Sequence, residues 1–116
     1  MRNLAVGITI KGIPALIIKI HPIFHVGLSG SRYGIEATVQ LRRPIGGSGI
    51  LPLLIPVRIP IRRFTKEELI SFITKEAEKE LEILQGRKHP GAIDYHDTAV
   101  VRELAEKLND LLGLEC

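Results

Sequence analysis

Pro52, Pro56 and Pro60 recur at four-residue intervals through an otherwise apolar run, and their shared parity restricts the possible folds more than any other feature. A strand sends alternate side chains, N–H groups and C=O groups the same way, so the three prolines lie on one face and delete donors from one edge only. The odd positions Leu51, Leu53, Ile55, Val57, Ile59 and Ile61 make an unbroken apolar face. The even positions carry Pro52, Leu54, Pro56, Arg58, Pro60 and Arg62. Such a segment fits at the side of a sheet, as an edge strand closed to further pairing, buried on its odd face and wet on the other.

Three earlier segments alternate with the same period of two. Leu4, Val6, Ile8 and Ile10 are expected inward in the first, and Gly12 to Pro14 to supply a turn. In the second, Leu16, Ile18 and Ile20, then Phe24, Val26 and Leu28, are expected inward, with Ala15, Ile17, Lys19, His21, Ile23 and His25 outward and a bend or bulge at Pro22. In the third, Tyr33, Ile35, Ala37, Val39 and Leu41 point inward and Arg32, Glu36, Thr38, Gln40 and Arg42 outward. A glycine loop, Gly46 to Gly49, leads into the proline-marked strand, and these short connections favour an antiparallel meander.

At Thr65 the period changes. Thr65 and Glu68 form a capping box, and Leu69, Ile70, Ile73, Ala77, Leu81 and Leu84 follow at helical spacing up to Gly86. A second helix is expected from Asp94 or Asp97, with Val100, Val101, Leu104, Leu108, Leu111 and Leu112 on one stripe and Gly113 as its stop. Each helix has one apolar stripe and the sheet one strongly apolar face. Burying these together gives an α+β fold, a four-stranded antiparallel β-meander followed by two α-helices packed on one face, the other sheet face open. The 116 residues suit a single domain, residues 1–64 forming the sheet half and 65–116 the helical half.

Cys116 is the sole cysteine, so these residues hold neither an internal disulfide nor a cysteine-based metal site, and a reducing, cytoplasmic setting is expected. No apolar stretch is long enough for a membrane-spanning helix. The absence of tryptophan and the abundance of aliphatic and charged residues lean towards a thermophile.

Charge divides sharply along the chain. Up to Phe64, nine lysines and arginines stand against Glu36 alone, net +8, whereas the helical half nets −5. Strand parity sends Lys11, Lys19, Arg32, Arg42, Arg58 and Arg62, with His21 and His25, to the open sheet face. A cationic platform of this kind suits a phosphate backbone, whose neutralisation releases condensed counterions. The expectation is a nucleic-acid-binding protein without sequence specificity, for single-stranded DNA or RNA. Phe24, Tyr33, Phe64 and Phe72 are expected inward or at element ends, which removes the usual base-stacking platform and leaves Ile17 and Ile23 as outer apolar contacts. The order of four antiparallel strands followed by helices resembles the single-stranded DNA binders of the transcriptional positive-cofactor and Whirly type. That resemblance covers element order and carries over no functional residue.

The alternative is a non-catalytic structural or assembly protein, for example viral. The first segment, Leu4 to Ile10, contains no proline; as the other edge of the sheet it is open to a second copy, so a homodimer is expected. For chemistry there is little. His21 and His25 lie about 13 Å apart on a straight strand, too far for one small ion. His89, His96, Asp94 and Asp97 gather between the helices without a recognised metal spacing. No nucleophile stands beside the His96–Asp97 pair, and no enzyme, metal or cofactor role is assigned.

Overall fold

The computed structural model describes residues 4–27, 30–44, 50–84 and 98–114. Strands β1 (Val6–Ile10), β2 (Ile13–Gly27), β3 (Gly30–Pro44) and β4 (Ile50–Ile59) precede helices α1 (Lys66–Leu84) and α2 (Thr98–Leu112). The sheet is an antiparallel meander in the order β1-β2-β3-β4, and both helices pack against it, as the alternation and capping signals indicate.

β4 is an edge strand. It pairs with β3 without interruption from Pro44↔Ile50 to Ile35↔Ile59, so Pro52 and Pro56 remove no ladder bond and their nitrogens face away from β3. Its odd side chains Ile55, Val57 and Ile59 are buried, while Pro52, Leu54 and Pro56 are exposed. At the other edge, β1 turns into β2 through Lys11 and Gly12, both at positive φ (48° and 79°). Two such residues between the paired Ile10 and Ile13 make the hairpin turn whose twist matches the strands. The turn therefore sits one residue earlier than expected, and Ile13 and Pro14 already belong to β2.

The second strand departs from the sequence expectation in its first half. Ala15 and Ile17 are buried and Leu16 is exposed, the reverse of the parity read from the sequence. The pairing with β3 steps from Ile17↔Val39 to Lys19↔Thr38, leaving Ile18 unpaired as a β-bulge. One extra residue exchanges the two faces, so odd residues point inward before Ile18 and even residues after it. Pro22, where a bend was expected, pairs in regular register with Ile35.

The bulge also explains a second feature. Beyond Ile17, no strand among the described residues pairs with β2 on the β1 side. Asn109 of α2 fills that place: its Oδ1 accepts from the Ile20 N–H at 2.9 Å, and its Nδ2 donates to the Ile20 C=O at 2.7 Å. One carboxamide thus supplies the donor and acceptor that a neighbouring strand residue would have offered. Asn109 is only 5% exposed, a buried polar residue amid an aliphatic core.

Beneath the sheet, Leu69, Ile73, Ala77 and Leu81 of α1 and Val101, Ala105, Leu108 and Leu112 of α2 are buried. Val100, expected on the stripe, is exposed, as is Leu4 ahead of β1. α2 ends in a Schellman turn: Gly113 (φ 70°) donates to the Asp110 carbonyl at 3.0 Å and Leu114 to the Asn109 carbonyl at 2.9 Å, folding Leu114 into the core. α1 begins with the reciprocal capping box, Thr65 N–H to Glu68 Oε1 at 3.0 Å and Glu68 N–H to Thr65 Oγ1 at 3.1 Å. Hydrogen bonding of the Glu68 carboxylate to the Thr65 backbone N–H and to the Thr65 side chain, opposed by desolvation and aided by the Arg62 charge, holds the Glu68 carboxyl below its ordinary pKa. Thr65→Ala is expected to cost about 1 kcal/mol in urea unfolding at neutral pH. Because the folded Glu68 pKa is lowered, the box contributes above the unfolded carboxyl pKa and fades as pH falls through the folded one. The mutational difference should therefore shrink in acid; an undiminished difference there would leave Glu68 with no part in the cap.

Candidate nucleic-acid interface

Register fixes which residues share the open face. Three rows cross it: Leu16–Gln40–Leu54, then Lys19–Thr38–Pro56, then His21–Glu36–Arg58. The pair His25↔Arg32 continues β2 and β3 past the third row, and Arg42↔Pro52 lies on the far side of the first. His25, Arg32 and Arg42 thus occupy open-face register positions, while their side chains lie outside the described ones. Lys19 is exposed, whereas His21 and Arg58 are half-buried.

The third row is a charge cluster. His21 Nε2 lies 3.5 Å from Glu36 Oε1, close enough for attraction but long for a hydrogen bond. The other ring nitrogen, Nδ1, is enclosed and has no hydrogen-bond partner among the described residues. Arg58 stands opposite Glu36 and also acts on Glu80 of α1. Burial pushes the Glu80 carboxyl above its ordinary pKa; the Arg58 charge opposes this, and Glu76 and Glu36 reinforce it. Arg58 therefore already sits in the field of two carboxylates.

Two expected face residues belong elsewhere. Lys11 sits in the β1–β2 turn and is engaged by α1: its N–H bonds Glu78 Oε2 and its Nζ bonds Glu82 Oε1, each at 3.1 Å. Positive φ at Lys11 breaks the strand parity on which the sequence placement depended. Arg62 lies beyond the end of β4, its guanidinium 3.8 Å from the Phe64 ring centroid and its Nη1 bonded to the Arg63 carbonyl. Phe64 packs on Phe72, with ring centroids 5.5 Å apart, so the aromatics at this corner tie the exit of β4 to α1. Part of the charge asymmetry is thus closed within the molecule, between the sheet half and α1.

Comparison with known proteins found no matching family model, no similar curated protein and no similar solved structure. The likeness to single-stranded DNA binders rests on element order alone.

Sequence reasoning missed Leu16 as a face residue. The signal was present: Leu16, Ile17 and Ile18 are three consecutive apolar residues, which a strict alternation cannot place and a bulge can. Ile17, expected as an outer contact, is core, whereas Ile23 keeps its open-face register and is half-buried. Among the described residues no group of three or more histidine, cysteine, aspartate or glutamate side chains is placed to hold a metal ion, and no helix is long and apolar enough to cross a membrane. His89, His96, Asp94 and Asp97 lie outside the described residues.

Proposed function

We propose that this protein binds single-stranded nucleic acid without sequence specificity through the open face of its sheet. The observation that carries this reading is the register. Lys19, His21, His25, Arg32, Arg42 and Arg58 share one face by register, with Glu36 as an acidic residue among them, while the apolar faces of the described helices pack against the opposite face. Phosphates attract such a surface regardless of base sequence, and the affinity is then steeply salt-dependent. Lys19, exposed and with no acid opposite it in its row, is the described side chain best placed for a phosphate.

The same reading has the protein working in the cytoplasm and as a homodimer joined at the outer edge of β1. Gly7 and Thr9 are exposed there, and unlike β4 that edge carries no proline. This unsealed edge also favours the rival reading, an assembly protein with no nucleic-acid partner.

Fluorescence anisotropy of labelled single strands across a salt series tests the proposal. Wild type should bind at low salt and weaken log-linearly, and Lys19→Glu should lower affinity and reduce the slope by about one. No binding at low salt, with a concentration-dependent oligomer by light scattering, would leave assembly as the function.

A further inference from the structure

The basic residues on the open face surround a strip of a different character. Leu16 and Leu54 are 38% and 58% exposed, and register places them on either side of Gln40, in one row across β2, β3 and β4. A lone exposed leucine on a protein surface needs no explanation. Two in one row, separated by Gln40 and with the exposed Pro56 and Pro52 beside Leu54 on the edge strand, make a mostly apolar strip roughly 10 Å across.

Cationic positions flank the strip. Lys19 belongs to the next row, roughly 7 Å along the strands, and the register position of Arg42 lies about as far on the other side. The order across the face is therefore cation, apolar row, cation. A phosphate backbone with its bases turned towards the sheet matches that order.

Resting on the function proposed above, the geometry points to the Leu16–Gln40–Leu54 row as the base-contacting strip, so that a ligand with unpaired bases is preferred over a duplex, which binds no better than the abasic strand. An unpaired base presents a flat apolar face that aliphatic side chains can cover. The Gln40 carboxamide carries both donor and acceptor and can meet the edge of any base, which keeps the contact indifferent to sequence. A duplex hides its base faces in the stack and offers this strip only phosphates. The row takes the part usually played by aromatic side chains, with weaker contact per base.

The test compares three labelled probes of equal length by anisotropy: a thymidine single strand, an abasic single strand with the same phosphates, and a duplex. Wild type should favour the thymidine strand over the abasic one by about tenfold, the effect of two partly exposed leucines covering bases. Leu16→Ser combined with Leu54→Ser should bring the thymidine strand down to the abasic affinity and leave the salt slope unchanged. Leu54→Ser alone gives a smaller loss in the same direction should the double variant unfold. Equal wild-type affinity for the thymidine and abasic strands overturns the strip as a base contact while the phosphate reading stands. An altered oligomeric state in the double variant with unchanged affinity overturns it in favour of a contact between copies. Failure to bind any of the three probes at low salt overturns the functional reading itself.

Discussion

Asn109→Ala is expected to lower the stability of the fold by about 3 kcal/mol, a large part of what a domain of this size possesses. The variant removes two short hydrogen bonds, to the N–H and C=O of Ile20, and leaves both backbone groups without a partner in a buried place. An unmade buried hydrogen bond costs about 1–3 kcal/mol, well above the net gain of a made one, and here there are two on one residue. Asn109→Asp should be nearly as harmful at neutral pH, because a carboxylate cannot donate to the Ile20 carbonyl and would stand beside it as a like partial charge. Urea unfolding followed by circular dichroism measures both. A loss below about 1 kcal/mol for the alanine variant would mean that water satisfies this part of β2 and that α2 is held by its aliphatic stripe alone.

Deleting Ile18 is expected to leave the fold standing, although the chain loses a residue from the middle of a central strand. The bulge at this residue makes the inward set Ile13, Ala15 and Ile17 continuous with Ile20. Without it, Ile17 is followed directly by Lys19 and then Ile20, the in, out, in alternation of a regular strand, with Val39, Thr38 and Ala37 of β3 as consecutive partners. The inward set therefore survives, and the loss is confined to the half-buried Ile18 side chain and the local twist of the bulge. Ile18→Thr, which keeps the residue count, should cost no more than about 1 kcal/mol, since Ile18 is only half-buried. The neighbouring pair gives a second reading of the same geometry: Ile17→Ala should cost about 3 kcal/mol and Leu16→Ala less than 1. Circular dichroism and a thermal melt of the four variants suffice. A deletion variant that fails to fold, or equal costs at residues 16 and 17, would show that Ile18 is not the extra residue of β2.

The candidate interface was legible in part, and the pattern of success has a physical basis. Lys19, His21 and Arg58 reach the face that strand parity assigned to them, because parity holds wherever pairing is regular. Lys11 does not, because a turn residue at positive φ follows no strand period, and the carboxylates of Glu78 and Glu82 that hold it are 67 and 71 positions away. Arg62 does not, because β4 ends before it and the Phe64 ring offers a nearer contact for its guanidinium. Arg58 reaches its place, but no local pattern marks Glu80 of α1, 22 positions on, as sharing its field.

The sequence by itself determined the element types, the inward faces of β1, β3 and β4, the closed edge at β4, the capping box that starts α1 and the glycine that ends α2. These are local matters: a period of two or 3.6, a missing N–H, a hydroxyl three residues from a carboxylate, a residue without Cβ where φ must be positive. Only the tertiary structure decided where β2 changes face, which bases of the sheet half remain available and what covers the bare edge of β2 beyond β1. Within the run from Leu16 to Ile18 several registers bury similar apolar area, so the choice falls to the pairing partners on β1 and β3. Asn109 stands on the apolar stripe of α2 as an unexplained polar residue until Ile20, 89 positions away, is brought beside it.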